Sequence, residues 1–130
     1  LFEHKIIAGE HMRNVQENGE TVGFELQVRI PYYRGLALSM IHELEVTVDG
    51  ESYSREDIRF AVATGSFTLN EMETAVNNRW EFGELAKLTV MKAGGLTEGE
   101  HDVEVVVHLR ISYLPFIPAR KGSKTLKVTS

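Results

Sequence analysis

The chain has 130 residues, a net charge of −5 and no cysteine. That length suits one domain able to bury about two-thirds of the surface its unfolded chain exposes. The absence of cysteine excludes disulfide frameworks, thiolate metal sites and a cysteine nucleophile, and the mild acidic balance speaks against a nucleic-acid binder, which carries a basic face.

Phe2 to Ala8 reads as a short edge strand around Ile6-Ile7. Glu17-Asn18-Gly19-Glu20 is a turn whose centre accepts positive φ. Val22, Phe24, Leu26, Val28 and Ile30 then alternate with Gly23, Glu25, Gln27 and Arg29, the period-two pattern of a half-buried strand. Pro31 ends it by removing an amide donor and fixing φ. Tyr32, Tyr33, Arg34 and Gly35 follow, and the apolar stretch Leu36 to Ile41 comes next.

Leu44, Val46 and Val48 alternate into Asp49-Gly50, a strong hairpin signal. Ser54 to Asp57 predicts a single turn, and Ile58, Phe60 and Val62 another strand. Thr64-Gly65-Ser66 reads as a turn before a short strand over Phe67 to Leu69. Asn70 to Val76 is the one plausible helix, capped by Asn70; at two turns it is too short to be stable alone. Trp80 and Phe82 interrupt before Ala86, Leu88 and Val90 alternate. Val103, Val105, Val107, Leu109 and Ile111 mark a second strong strand. Residues 119–130 read as a basic C-terminal tail of the single domain 1–130.

Seven to nine short strands with little helix predict an all-β fold, an antiparallel β-sandwich of immunoglobulin-like or jelly-roll-like type. The spacers are too short for the crossovers of a parallel sheet. No apolar run approaches a membrane span and no signal-peptide h-region opens the chain, so the expectation is a soluble, cytoplasmic domain without membrane or nucleic-acid partners.

Catalytic signals are weak. None of the five histidines (His4, His11, His42, His101, His108) stands at metal-ligand spacing from another. The carboxylate pairs Glu43/Glu45, Glu71/Glu73 and Glu81/Glu84 would need to face each other for acid–base work. Gly94-Gly95 lacks the helix, lysine and hydroxyl of a phosphate loop, and no serine sits in a nucleophile elbow. Three aromatic-apolar groups stand out instead: Tyr32 to Ile41, Trp80 with Phe82, and Tyr113 to Ile117. Each has an arginine nearby, the composition of a protein-binding patch.

The segments Arg29-Ile-Pro-Tyr-Tyr-Arg-Gly-Leu-Ala-Leu-Ser-Met-Ile41, Val46-Thr-Val-Asp-Gly50, Trp80-Glu-Phe-Gly83 and Leu109-Arg-Ile-Ser-Tyr113 resemble the small β subunit of bacterial C-glycoside deglycosidases, over Phe2 to about Tyr113. The resemblance implies a β-sandwich that binds a catalytic α subunit, a TIM barrel akin to sugar-phosphate isomerases and epimerases. That partner would hold a divalent metal, typically manganese, and the acid/base residues, leaving this chain without cofactor or catalytic residue. The complex would be a lyase, splitting the carbon–carbon bond between a 3-oxo-sugar and an aromatic, flavonoid-type aglycone. Tyr32, Tyr33, Arg34, Leu36, Met40, Trp80 and Phe82 are then the expected partner-binding residues, and Arg29, Arg34 and His42 the candidate substrate-lining ones. The rival is a stand-alone carbohydrate-binding module that stacks sugars on Tyr32, Tyr33 and Trp80. A self-contained metal-dependent β-barrel enzyme is a third alternative.

Overall fold

The computed structural model describes residues 6–29, 36–75, 78–80, 84–109 and 119–128. Among them are eleven strands and one short helix. The strands are β1 (Ile7–Glu17), β2 (Glu20–Val28), β3 (Leu36–Ala37), β4 (Ile41–Val48), β5 (Glu51–Ser52), β6 (Ile58–Val62), β7 (Gly65–Thr68), β8 (Arg79–Trp80), β9 (Ala86–Met91), β10 (Gly99–Leu109) and β11 (Ala119–Val128). The helix α1 spans Leu69–Met72.

Nine strands form one continuous sheet in the order β5-β4-β10-β11-β1-β2-β9-β6-β7, while, among the described residues, β3 pairs with β8 alone. The all-β expectation holds, with a change of architecture. The two halves of the sandwich are not separate sheets but one sheet curled into a half-barrel. β1 joins the halves. Its pairing with β2 is offset between Ala8 and Arg13, and within that bulge His11 and Met12 pair with Lys127 and Val128 of β11. Gly9, at φ +72, takes the kink without a Cβ penalty.

The sheet is also not wholly antiparallel, because β1 and β11 run parallel. The crossover-length argument fails here for a simple reason. These strands come from opposite ends of the chain, so no short connection has to link them. For the same reason β1 is an interior strand rather than an edge, and the segment expected to be a basic tail is instead β11 over Ala119–Val128. It pairs with β10 through ten registered positions, from Gly99↔Val128 to His108↔Ala119.

Curling brings the inward faces together. Phe24 and Leu26 of β2, Leu88 and Val90 of β9 and Ile58 and Phe60 of β6 share one core with Leu44, Val46 and Val48 of β4 and Val103, Val105 and Val107 of β10. The Phe24 ring meets Tyr53, just after β5, edge-on at 5.5 Å across this core. The two outer edges, β4–β5 and β7, approach each other with α1 between them, packed on β4, β6 and β7. Leu69 and Met72 bury into that seam. Across it, Arg55 donates to Glu43 of β4 at 3.2 Å and also to Asn70 of α1.

The helix begins one residue earlier than expected, and Thr68, not Asn70, caps it. Glu71 N donates to Thr68 Oγ1 at 3.1 Å while Thr68 N donates to Glu71 Oε1 at 2.8 Å, a reciprocal capping box legible in the string Thr-Leu-Asn-Glu. Replacing Thr68 by Ala removes one partner, and a loss of about 1 kcal/mol is expected, measurable by urea titration of the full chain; an unchanged midpoint would show that the cap is idle. Both predicted hairpin turns are present, with Asn18 and Asp49 at φ 51 and Gly19 and Gly50 at φ 82 and 85. The turn expected at Thr64-Gly65-Ser66 falls earlier, because Gly65 and Ser66 already belong to β7.

Candidate functional site

Strand directions sort the molecule into two ends. β1, β4, β9 and β11 run one way; β2, β6 and β10 run the other. One end carries the Asn18-Gly19 and Asp49-Gly50 turns and the connection 92–98. At the other end β2, β6 and β10 finish and β1, β4, β9 and β11 begin. Ile7, Val28 and Ala86 form a registered row there, and Leu109 lies opposite Ile41. The two strong strands, β2 and β10, are separated by β11 and β1 and run in the same direction, so the chain leaves both at this end. All three aromatic-apolar groups of the sequence follow or precede strand ends located here. Tyr32, Tyr33, Arg34, Phe82 and the group Tyr113 to Ile117 themselves lie outside the described residues.

The described residues of this loop end are held by a polar frame. Glu84 accepts from Ala63 N at 2.6 Å through its side chain and from Trp80 Nε1 at 3.0 Å through its carbonyl. Asn78 donates from its side chain to Thr64 at 2.8 Å and accepts Leu38 N at 2.9 Å through its carbonyl. The frame ties the β6–β7 turn to the start of β9 and to the 3-10 turn Leu38–Met40. Beside it stands Leu85, 43% exposed, the exposed large apolar side chain of the described surface. Sequence reasoning overlooked it; the signal was present, since Leu85-Ala86 places two apolar residues in succession where alternation allows one.

The expected site residues divide as follows. Trp80 lies in the core at 0% exposure, its ring edge-on to Phe60 at 5.0 Å. It is therefore a plug for this end of the half-barrel, and neither face of its indole is open to a partner or a sugar. Met40 is half-buried against the core, and the Leu36 backbone pairs with Trp80. Arg29 is exposed at the end of β2, its amide donating to Ile6 O at 2.6 Å.

His42 occupies a telling position. The β4–β10 register passes from Glu43↔His108 to Ile41↔Leu109, leaving His42 as the extra residue of a β-bulge. Such bulges re-aim a side chain, and His42 is exposed while its neighbour Ile41 is buried. On the same outer face His108 Nε2 lies 2.5 Å from Glu45 Oε2.

Four of the six carboxylates considered for acid–base work have structural partners, and Glu81 lies outside the described residues. Glu43 binds Arg55, Glu45 meets His108, Glu71 closes the capping box and Glu84 caps the Ala63 amide. Among the described residues no three His, Asp or Glu side chains converge as a metal site, and no helix is long and apolar enough to cross a membrane. Among the described residues this end offers the exposed Leu85 beside the buried Trp80, with Arg29 and His42 exposed where β2 ends and β4 begins.

The family model for the C-glycoside deglycosidase beta subunit matches residues 2–113. The C-glycoside deglycosidase beta subunit of Eubacterium cellulosolvens is 33% identical over 115 residues, covering 88% of this chain and 78% of that protein. The 3'-dehydrocarminate deglycosidase beta subunit of a Microbacterium species is 38% identical over 116 residues, covering 88% and 83%. Among solved structures, the CooA pilin subunit from enterotoxigenic Escherichia coli aligns over 92% of this chain and 89% of its own at 12% identity, with a TM-score of 0.29, too low to support an argument.

Proposed function

The chain belongs to the C-glycoside deglycosidase beta subunit family, and from that premise we propose that its loop end docks a catalytic α subunit and carries no reacting group itself. One observation bears most of the weight. The family match runs from residue 2 to residue 113, so it takes in both halves of the sheet and the segments that leave β2 and β10 at the same end. An obligate subunit needs a broad apolar contact, and the aromatic and apolar residues that follow β2 and β10 and precede β9 in the sequence support that reading.

In this reading the partner is a TIM-barrel protein of sugar isomerase or epimerase type. A divalent metal held by that partner would supply Lewis-acid polarisation of the oxidised sugar. The substrate class is a C-glycoside oxidised at the sugar's C3 position, in keeping with a relative named for 3'-dehydrocarminate. The C3 ketone acidifies the C2 proton; a base removes it, the electron pair forms the C1–C2 double bond, and the C1–aryl bond breaks with protonation of the aglycone carbon. In this reading the chain contributes the contact surface through Tyr32, Tyr33, Arg34, Leu36, Met40, Phe82 and Leu85. Trp80 acts indirectly, by setting the position of Glu84 and Leu85. Arg29, Arg34 and His42 are placed in the sequence to rim the partner's substrate entrance.

The alternative of a sugar-stacking module is weakened by Trp80, whose buried ring cannot serve as a platform. Co-expression with the cognate α subunit tests the proposal. The pair Tyr33→Ala/Arg34→Ala and, separately, Leu85→Asp should each reduce co-purification about tenfold, the scale of one interface hot spot, without lowering the melting temperature of this chain. Recovery of the full complex with full activity from both variants would refute it.

A further inference from the structure

The opposite end of the half-barrel contains a different device. His101, at the start of β10, is 8% exposed and is the buried charged or polar side chain of the described core. Its Nδ1 lies 2.6 Å from Asp49 Oδ2, in the β4–β5 turn, and its Nε2 lies 2.8 Å from the Thr97 carbonyl oxygen, in the β9–β10 connection. A backbone carbonyl can only accept, and a carboxylate facing a ring nitrogen at this distance accepts as well. A neutral imidazole has one N–H, whereas both nitrogens here face acceptors. The geometry satisfies both only when the ring carries two protons.

We propose that His101 is a proton-operated latch: doubly protonated, it ties the Asp49-Gly50 turn to the connection 92–98, and loss of one proton releases the connection. The charged Asp49 is the stronger acceptor, so the neutral ring keeps its proton on Nδ1. Nε2 then presents a lone pair to the Thr97 oxygen at a distance that only a hydrogen bond tolerates, and the two must separate. Asp49 stays in place on its other bonds, accepting from Asp102 N at 2.8 Å and donating its own amide to Asp102 O at 2.8 Å.

The surroundings leave Asp49 as the charge that faces the ring. Burial, then the charges of Glu51 and Asp49, raises the pKa of Tyr53, just after β5. From the connection the ring meets the Thr97 backbone, with Glu98 as the next charged residue. From β11 its registered neighbour is the buried Leu126, flanked by the exposed Thr125 and Lys127. Glu100 and Asp102, on β10 itself, are exposed on the other face. The bond to Thr97, then that to Asp49, raises the His101 pKa above 6.5 against the opposing effect of burial. The bond from His101, then that from Asp102, lowers the Asp49 pKa below 3.8.

The signs define a window. The His101 contribution to stability is complete below its unfolded pKa of 6.5 and disappears as pH rises through the raised folded value. The Asp49 contribution is present above 3.8 and disappears as pH falls through the lowered folded value. The latch is closed between these limits and opens on the alkaline side.

Ring 15N shifts and amide hydrogen exchange of the 130-residue chain test this together. The Leu96 amide, which donates to Asn14 Oδ1 at 2.9 Å, reports on the connection. Its protection factor should fall about tenfold as His101 titrates, the scale of one net hydrogen bond, with the same midpoint above 6.5. The amides of Leu26 and Leu88, between β2 and β9, should keep theirs. In His101→Gln the pH dependence at Leu96 should vanish. A neutral-ring 15N signature at pH 6, or Leu96 protection that ignores the His101 titration, would overturn the latch on the wild-type chain alone.

Discussion

Trp80→Ala is expected to lower the stability of this chain by about 3–5 kcal/mol, the usual range for removing a buried indole. The ring is at 0% exposure, so the variant loses its whole transfer free energy and leaves a cavity at the loop end. Two specific contacts go with it: the edge-on packing against Phe60 at 5.0 Å and the 3.0 Å bond from Nε1 to Glu84 O. For a domain holding on the order of 5–15 kcal/mol in total, the melting temperature should drop by roughly 10–20 °C. Trp80→Phe keeps most of the volume and forfeits the donor, so a loss of about 1–2 kcal/mol is expected. Calorimetry on both variants separates packing from the hydrogen bond; a drop of only a few degrees for Trp80→Ala would show that the loop end tolerates collapse. In the proposed docking the same variant should also weaken assembly with the partner, because Trp80 Nε1 holds the Glu84 carbonyl next to Leu85.

Gly23→Ala should be as damaging, for a different reason. Gly23 lies inside β2 between Val15 of β1 and Met91 of β9. A Cβ there would fall inside 3.0 Å of the Val90 carbonyl oxygen, with Met91 Cα and Val90 C at 3.1 Å. These are backbone atoms, so no rotamer change relieves the overlap and β2 must part from β9. A cost of about 3 kcal/mol is expected, the upper part of the range for overpacking. Gly50→Ala is the control, since its φ of +85 strains the backbone but its Cβ would meet nothing within 4 Å. It should lose about 1–2 kcal/mol, the price of a left-handed Cβ. Denaturant midpoints that rank Gly50→Ala above Gly23→Ala in damage would contradict the close approach of the strands.

Much of the site was visible before the structure only as composition. The aromatic groups of Tyr32 to Ile41 and Trp80 with Phe82 were apparent as residues that break the alternating strands. Whether they share one end of the molecule depends on strand directions several strands apart, which no local pattern encodes. Trp80 shows the limit from the other side. An indole between a short helix and a strand reads equally well as a surface anchor or a core plug, and its burial is decided by Phe60, which arrives from a distant strand. In the sequence His101 is one of five histidines without metal-ligand spacing, because its partner Asp49 comes from a turn some fifty residues away and Thr97 reaches it only through a backbone carbonyl.

What the sequence by itself determined are the features whose energetics are local. β2, β4, β9 and β10 follow from period-two burial, and Asn18-Gly19 and Asp49-Gly50 follow from residues that accept positive φ. The likeness to deglycosidase β subunits was also legible, because it lies in side-chain strings rather than in geometry. Only the tertiary structure decided that β1 lies inside the sheet, that β1 and β11 run parallel, and that Ala119–Val128 is a strand. Arg120 to Thr125 is polar and basic, without the apolar alternation that announces a strand. Its conformation is held by backbone hydrogen bonds to β10, a partner whose own pattern is unmistakable. Backbone pairing is blind to side-chain type, so the strand that completes the sheet leaves almost no mark in its own residues.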